Sequence, residues 1–253
     1  MSNIILGSDG IAIRQSIYEE SSVAKTDLGR FIDFQDGRRF RYCQADGAIT
    51  KGHICTTANV VANDNTVTQT GMTVALSNGY IGEKVINVLL ATATTANLYA
   101  GGYLTVEGGT GLGQIRKIKS NKAGGASVAA PCEVTLYDPL EVALNATSII
   151  TLTKNKYKDV IVAPAGTDVA PLIGVPLISI TDDYYFWAQT RGYAPIVVDD
   201  SATLTIGETV SIGATDAGAV VGATDAHAEY QQVGVVVQIA AADTYATIDL
   251  ELE

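Results

Sequence analysis

The stretch FIDFQDGRRFRYC, from Phe31 to Cys43, sets the reading of the whole chain. Two short segments, Phe31–Phe34 and Arg39–Cys43, flank Gln35-Asp36-Gly37-Arg38. Asp-Gly supplies the positive-φ positions that a tight hairpin turn needs. Phe40 and Tyr42 alternate with Arg39 and Arg41. Successive strand residues face opposite sides, so the aromatics take one face and the guanidinium groups the other. Asp46-Gly47 is a second turn signal.

Working outward, the same pattern recurs: runs of Val, Ile, Thr, Tyr and Phe cut by Gly, Asn and Asp. In the first part, strands are expected at 71–76, 83–90, 102–106, 114–119, 133–137 and 148–153. In the second they are expected at 172–180, 184–190, 194–198, 209–212, 232–239 and 245–250. Turn signals about every 8–12 residues are typical of all-β sandwiches and barrels. Helical periodicity is confined to Ile11–Glu20, where Ile13 and Ile17 share a face, and to Pro139–Asn145. The expected architecture is mainly β, in two parts of barrel or sandwich type, with long loops and little helix.

The chain has 253 residues, 16 basic and 27 acidic side chains, and a net charge of −11. That length buries a core without disulfides or metal. The acidity excludes nucleic acid and anionic membrane as partners, since both need a basic surface. Only 17% of residues are charged, so Thr, Ser, Asn, Gln and Gly must cover the surface, which suits contact with other protein. Residues 1–180 hold 15 basic and 15 acidic side chains, whereas residues 181–253 hold Arg191 and 12 acids. The expected division follows this asymmetry: a β-rich assembly region over 1–160, a linker over 161–171 (within APAGTDVA, Ala163–Ala170), and an acidic barrel or sandwich over 172–253. The N-terminus lacks a signal-peptide pattern and no apolar run is long enough to span a membrane. Cys43, Cys55 and Cys132 are odd in number and irregularly spaced, so free thiols in a reducing compartment are expected.

Motifs for chemistry are incomplete. GGTGLGQ at 108–114 lacks the last glycine of a dinucleotide loop and the GK[ST] of a phosphate loop, and reads as a hairpin loop. Asn121–Ala130 reads as an exposed small-residue loop. Ala-Thr-Asp-Ala recurs at 214–217 and 223–226, within an expected hairpin loop. His53 and Cys55 stand two apart, which on a strand puts both on one face, but no orienting acid accompanies them. His227 has no candidate partner. Asp182-Asp183 and Asp199-Asp200 offer carboxylate pairs for glycosidase chemistry or calcium, yet the single Trp187 gives no aromatic cluster to hold sugar beside them. They read as solvated turn acids. Basic residues group at Arg38-Arg39-Arg41, Arg116-Lys117-Lys119-Lys122 and Lys154-Lys156-Lys158. Each alternates at least in part, making stripes able to dock on an acidic protein lattice. No catalytic residue, cofactor or metal is expected.

Three blocks, FIDFQDGRRFRYCQADGAITKG (31–52), YAGGYLTVEGGTGLGQIRKI (99–118) and GVPLISITDDYYFWAQTRG (174–192), resemble small virion structural proteins of tailed bacteriophages. There a hairpin with Asp-Gly-Arg and aromatics precedes an Ala/Gly turn, and a strand pair of the YFWVQTRG kind leads into a Gly-punctuated β domain. The resemblance extends to capsid decoration (cement) proteins. It implies a non-enzymatic, β-rich homotrimer on the outer surface of the capsid, made in the host cytoplasm. Its partner would be the major capsid protein, and it would bridge capsomers to stabilise the head. The alternative reading is a head-fibre or tail-associated adhesin for host recognition. A polysaccharide-degrading virion enzyme is a third.

Overall fold

The computed structural model describes residues 5–6, 12–58, 68–74, 80–125, 130–168, 170–223 and 230–253. Its strands are β1 (Ile5–Leu6), β2 (Ala12–Ile13), β3 (Phe31–Asp33), β4 (Arg39–Gln44) and β5 (Cys55–Thr57). Next come β6 (Thr68–Val74), β7 (Val85–Leu89), β8 (Tyr103–Gly108), β9 (Ile115–Asn121), β10 (Cys132–Leu136) and β11 (Ile149–Thr153). The last are β12 (Val160–Val162), β13 (Leu172–Pro176), β14 (Tyr185–Val197), β15 (Thr209–Ile212), β16 (Val220–Gly222), β17 (Gln232–Gln238) and β18 (Tyr245–Glu251). No helix occurs among the described residues. The protein is all-β and built in two parts.

The two parts are not the two halves read from the sequence. One compact unit joins Met1–Ala58 to Lys156–Glu253, and the other is Asn59–Asn155. The segment 161–171, expected as a linker, connects β12 to β13, and both of these strands pair with β5. Residues 1–58 are therefore held to 156–253 by hydrogen-bonded ladders. Residues 59–155 carry six basic and six acidic side chains, so the whole net charge of −11 falls on the split unit.

Residues 59–155 form a closed barrel in the order β10-β7-β6-β11-β8-β9. Closure removes the unpaired edges that invite aggregation. Strict alternation fills the interior: Ile86 and Val88, Leu104 and Val106, Val134 and Leu136, and Ile150 and Leu152 are all at most 1% exposed. Such a side chain contributes about 1.5–3 kcal/mol when fully buried. The β8–β9 hairpin confirms that GGTGLGQ is a turn, closed by Gly113 N–H to Val106 O and Val106 N–H to Gln114 O. Asn121, read as the start of a mobile loop, instead ends β9 and is buried. Its side chain accepts from Tyr99 N–H and donates to Thr95 O and Lys122 O. Residues 126–129 of that loop lie outside the described residues.

The expected helix over Pro139–Asn145 is overturned here. Leu140 and Leu144 are buried four residues apart, as helical periodicity requires. The backbone between them is claimed by the nearly buried Gln114. Its Oε1 accepts from Glu141 N–H and Val142 N–H at 3.0 Å each, and its Nε2 donates to Val142 O at 2.9 Å. Losing these partners leaves buried groups unpaired at about 1–3 kcal/mol each. Gln114→Ala is therefore expected to destabilise the barrel by about 2–4 kcal/mol, measured as a lower urea midpoint in far-UV circular dichroism with an unchanged slope.

The split unit contains a sheet in the order β12-β5-β13-β14-β18-β17-β15-β16, with the β3–β4 hairpin joined to β14. The hairpin has the register Phe31↔Arg41, Ile32↔Phe40 and Asp33↔Arg39, with residues 34–38 forming its loop. Gly37 has φ +87°, and Asp36 Oδ1 accepts from Arg38 N–H, as an Asp-Gly turn requires. Phe40 and Tyr42 are fully buried, with Trp187 against Tyr42 at 4.9 Å between ring centroids.

Two segments expected as separate strands, 184–190 and 194–198, are one strand of thirteen residues, β14. It pairs with β4 from Tyr185 to Arg191 and with β18 from Arg191 to Val197. The change of partner occurs at a bulge between Gln189 and Arg191. Gln189 Nε2 donates to the carbonyls of Arg191, Gly192 and Tyr193, fixing the bend. The second expected helix, 11–20, is also overturned. Gln15 donates to Glu19 O and Tyr185 O, and Ser21 bridges to Tyr185, so this segment is stitched to β14. The described part of the expected loop 214–228 contains strand β16.

Candidate functional site

On the barrel's outer face, register aligns Thr153, Tyr103 and Lys117 across β11, β8 and β9. Tyr137 extends this row: its N–H donates to Lys117 O, and the Lys117 ammonium stands 5.5 Å from its ring centre. The neighbouring row is Thr151, Thr105 and Ile115. Tyr103, Ile115, Tyr137 and Ile149 are 41–55% exposed, although each is a large apolar or aromatic side chain. The exposed apolar side chains are interleaved here with Thr and Lys. Lys117 and Lys119 both point to solvent from it.

Several of the other basic residues are engaged in ion pairs. Arg39 binds Asp33 at 2.7 Å, and Arg41 holds both oxygens of Glu253 at 2.6 and 2.7 Å. Burial raises the Glu253 pKa, but Arg41 outweighs it and the net shift is downward. Nothing in the local sequence links Arg41 to a residue 212 positions away. Arg116 donates to Pro139 O and pairs with Glu141, and Lys122 pairs with Glu133. Lys154 is buried while Lys156 lies over the Tyr157 ring, so this group makes no stripe on one face. Lys117 and Lys119 make no ion pair among the described residues and are both exposed on the barrel face.

The acid pairs have distinct roles. Asp182 Oδ1 accepts from Gly47 N–H at 2.6 Å, joining the second predicted turn to the β13–β14 connection, where Asp183 adopts φ +63°. Asp199 is not the solvated turn acid read from the sequence. It is fully buried and accepts from Ser201 N–H and Oγ–H, from Thr215 N–H and Oγ1–H, and from Asp216 N–H. Burial alone would raise its pKa, but the bonds from Ser201, Asp216 and Thr215 hold it below the ordinary carboxylate range. Carboxylate oxygens of Asp199, Asp200 and Asp216 lie within 4.8 Å of one another, a spacing a cation could bridge. Asp199 spends its lone pairs on protein donors, so the trio reads as a loop staple. The first Ala-Thr-Asp-Ala repeat supplies three of those five donors, while most of the second lies outside the described residues, as does His227.

The Cys55–His53 pair is not assembled as a dyad. Cys55 is buried and its thiol donates to His53 O, while His53 Nδ1 lies 3.2 Å from Lys51 O. Burial pushes the Cys55 thiol pKa up, as it does for Cys43 and Cys132. All three cysteines are free and buried. Trp187 is packed in the core and its Nε1–H donates to Gln15 O.

Compared with protein-family models, curated proteins and solved structures, the chain matches none. The fold and surface define an all-β protein of two compact units, one a closed barrel with an exposed aromatic and lysine-bearing face.

Proposed function

We propose that the protein is a capsid decoration protein, which binds as a homotrimer to the outside of an assembled phage head and bridges neighbouring capsomers. The observation that carries this reading is the barrel's outer face, where Tyr103, Ile115, Lys117, Lys119 and Tyr137 present apolar, aromatic and basic groups together. The sequence blocks that resemble phage virion proteins support the same class. The contact face proposed lies within residues 59–155, the unit of zero net charge. Binding only to the assembled shell stabilises that shell by linkage. Lysine contacts to an acidic lattice favour orientation and association rate.

The test adds purified protein to heads that lack it. Saturating occupancy in hundreds of copies by cryo-electron microscopy, with less DNA lost on heating, is the expected result. Lys117→Glu with Lys119→Glu is expected to weaken occupancy about tenfold or more, since like charge at the seam repels. A few copies at the tail would place the protein among adhesins instead. Equal DNA retention with and without bound protein would remove the cement role.

A further inference from the structure

Where the β3–β4 turn passes β14, the split unit has an open cleft of about 680 Å3. Its walls are the turn residues Asp36 to Arg38, the strand residues Arg191 to Tyr193, and Asp249. That volume lies within the roughly 300–1,000 Å3 of small-molecule sites. Two glycines shape it. Gly192 has φ +80°, and a side chain there would come within 3.1–3.2 Å of Arg38 Cγ and Cα. Both the positive φ and the close approach of the turn favour glycine at 192. At Gly37 a side chain would meet nothing within 4 Å, so the backbone there is open to an incoming group.

The polar groups are arranged in opposite pairs. Arg38 is fixed in advance: its Nε donates to Asp36 Oδ2 at 2.8 Å, and its guanidinium lies 5.3 and 5.7 Å from the Phe34 and Phe40 ring centres. Arg191 and Asp249 make no ion pair or side-chain hydrogen bond among the described residues. Tyr193 is the cross-strand partner of Asp249 and is 60% exposed. Arg191, two residues along the same strand, shares its face.

A purely anionic ligand in this cleft meets Asp36 and Asp249, and a cationic one meets Arg38 and Arg191. A polyhydroxylated ligand suits both, because each hydroxyl donates and accepts. Planar guanidinium and carboxylate groups offer paired donors and paired acceptors, spaced to engage adjacent hydroxyls. The exposed Tyr193 ring offers an apolar face to the C–H side of a sugar ring, and its hydroxyl remains free for water or ligand. We infer that this cleft binds one or two pyranose units of a neutral saccharide. The site is separate from the barrel face and does not depend on the decoration reading.

The test titrates the full chain with neutral and N-acetylated hexose oligosaccharides, followed by saturation-transfer NMR and calorimetry. The expected affinity is about 0.1–1 mM, as shallow polar sites give. Tyr193→Ala is expected to weaken binding about tenfold or more, and Arg191→Met to weaken it severalfold. Both side chains are exposed, so the urea midpoint of either variant should match that of the parent. No oligosaccharide bound at about 10 mM, or binding unchanged in Tyr193→Ala, would overturn the inference. So would preferential binding of inorganic phosphate or of a glutamate-rich peptide, since either makes the cleft an anion site.

Discussion

Trp187→Ala is expected to lower the stability of the split unit by about 3–5 kcal/mol, the range for removing a large buried aromatic. Trp187 is 1% exposed and packs edge-on against Tyr42. It also anchors a relay of hydrogen bonds. Its Nε1–H donates to Gln15 O, Tyr42 Oη–H donates to Gln15 Oε1 at 2.7 Å, and Lys25 N–H donates to Tyr42 Oη. Truncation opens a cavity and also strands the Gln15 carbonyl. A whole domain holds only about 5–15 kcal/mol, so this loss is a large share of it. Urea unfolding by far-UV circular dichroism checks the value. Trp187→Phe keeps the ring contact and loses only the N–H, so it should cost about 1–2 kcal/mol. If the two variants were equally destabilised, the packing account would be wrong.

Asp199→Ala is expected to cost the same unit about 2–4 kcal/mol. Three backbone N–H groups and two hydroxyls lose their shared acceptor, and an orphaned donor costs about 1–3 kcal/mol when water cannot reach it. The exposed loop residues Ser201 and Thr215 recover part of that by hydration. Trp187 is the only tryptophan in the chain, so its fluorescence follows this unit alone during denaturation. The same carboxylate sets an acid dependence. Its pKa is lowered from 3.8 on folding, so between the folded and unfolded values the unfolded chain binds the extra proton. The stabilisation is present in full above the unfolded value and is lost as pH falls through the folded one. Glu253, lowered from 4.5, acts in the same direction. The urea midpoint is expected to fall steadily below about pH 4.5, and to fall less steeply in Asp199→Ala. A midpoint flat from pH 7 to pH 3 would contradict this.

What could be read in the sequence was local. The hairpin at 31–43 follows from Asp-Gly and alternation, although its loop takes in residues 34–38 and not Asp36-Gly37 alone. Most barrel strands follow from period-two burial. The split of the chain was hidden because β5 and β12, which tie residues 1–58 to 156–253, are three residues each, too short to show a period. A charge count along the chain placed the acidity in the last 73 residues; in space it belongs to a unit that also holds the first 58. Both helix expectations failed for one reason. Gln15 ties its own segment to Glu19 O and Tyr185 O, and Gln114 binds the backbone of Glu141 and Val142; these contacts hold both segments in non-helical paths, and periodicity cannot see them. The Asp199 staple was equally invisible, because most of its donors come from residues 215 and 216. The lysine face was half visible: the alternation of Lys117 and Lys119 was plain, but Tyr103 and Tyr137 join it only through the sheet.

The insertion of the barrel between β5 and β12 also governs the order in which the chain acquires structure as it is made. These two strands are antiparallel partners, Val160 opposite Thr57 and Val162 opposite Cys55, yet about a hundred residues separate them along the chain. At about 5–20 residues per second, β5 waits roughly 5–20 s for its partner to leave the ribosome. All six barrel strands emerge during that wait, and the described buried residues of their core lie between 86 and 152. The barrel is then a finished neighbour while β3, β4 and β5 still lack β13, β14 and β18. A nascent chain halted once residue 155 has left the ribosome would carry one folded body and one open half-sheet. Exposed strands in that half-sheet are the point at which synthesis, temperature and chaperone supply bear on yield.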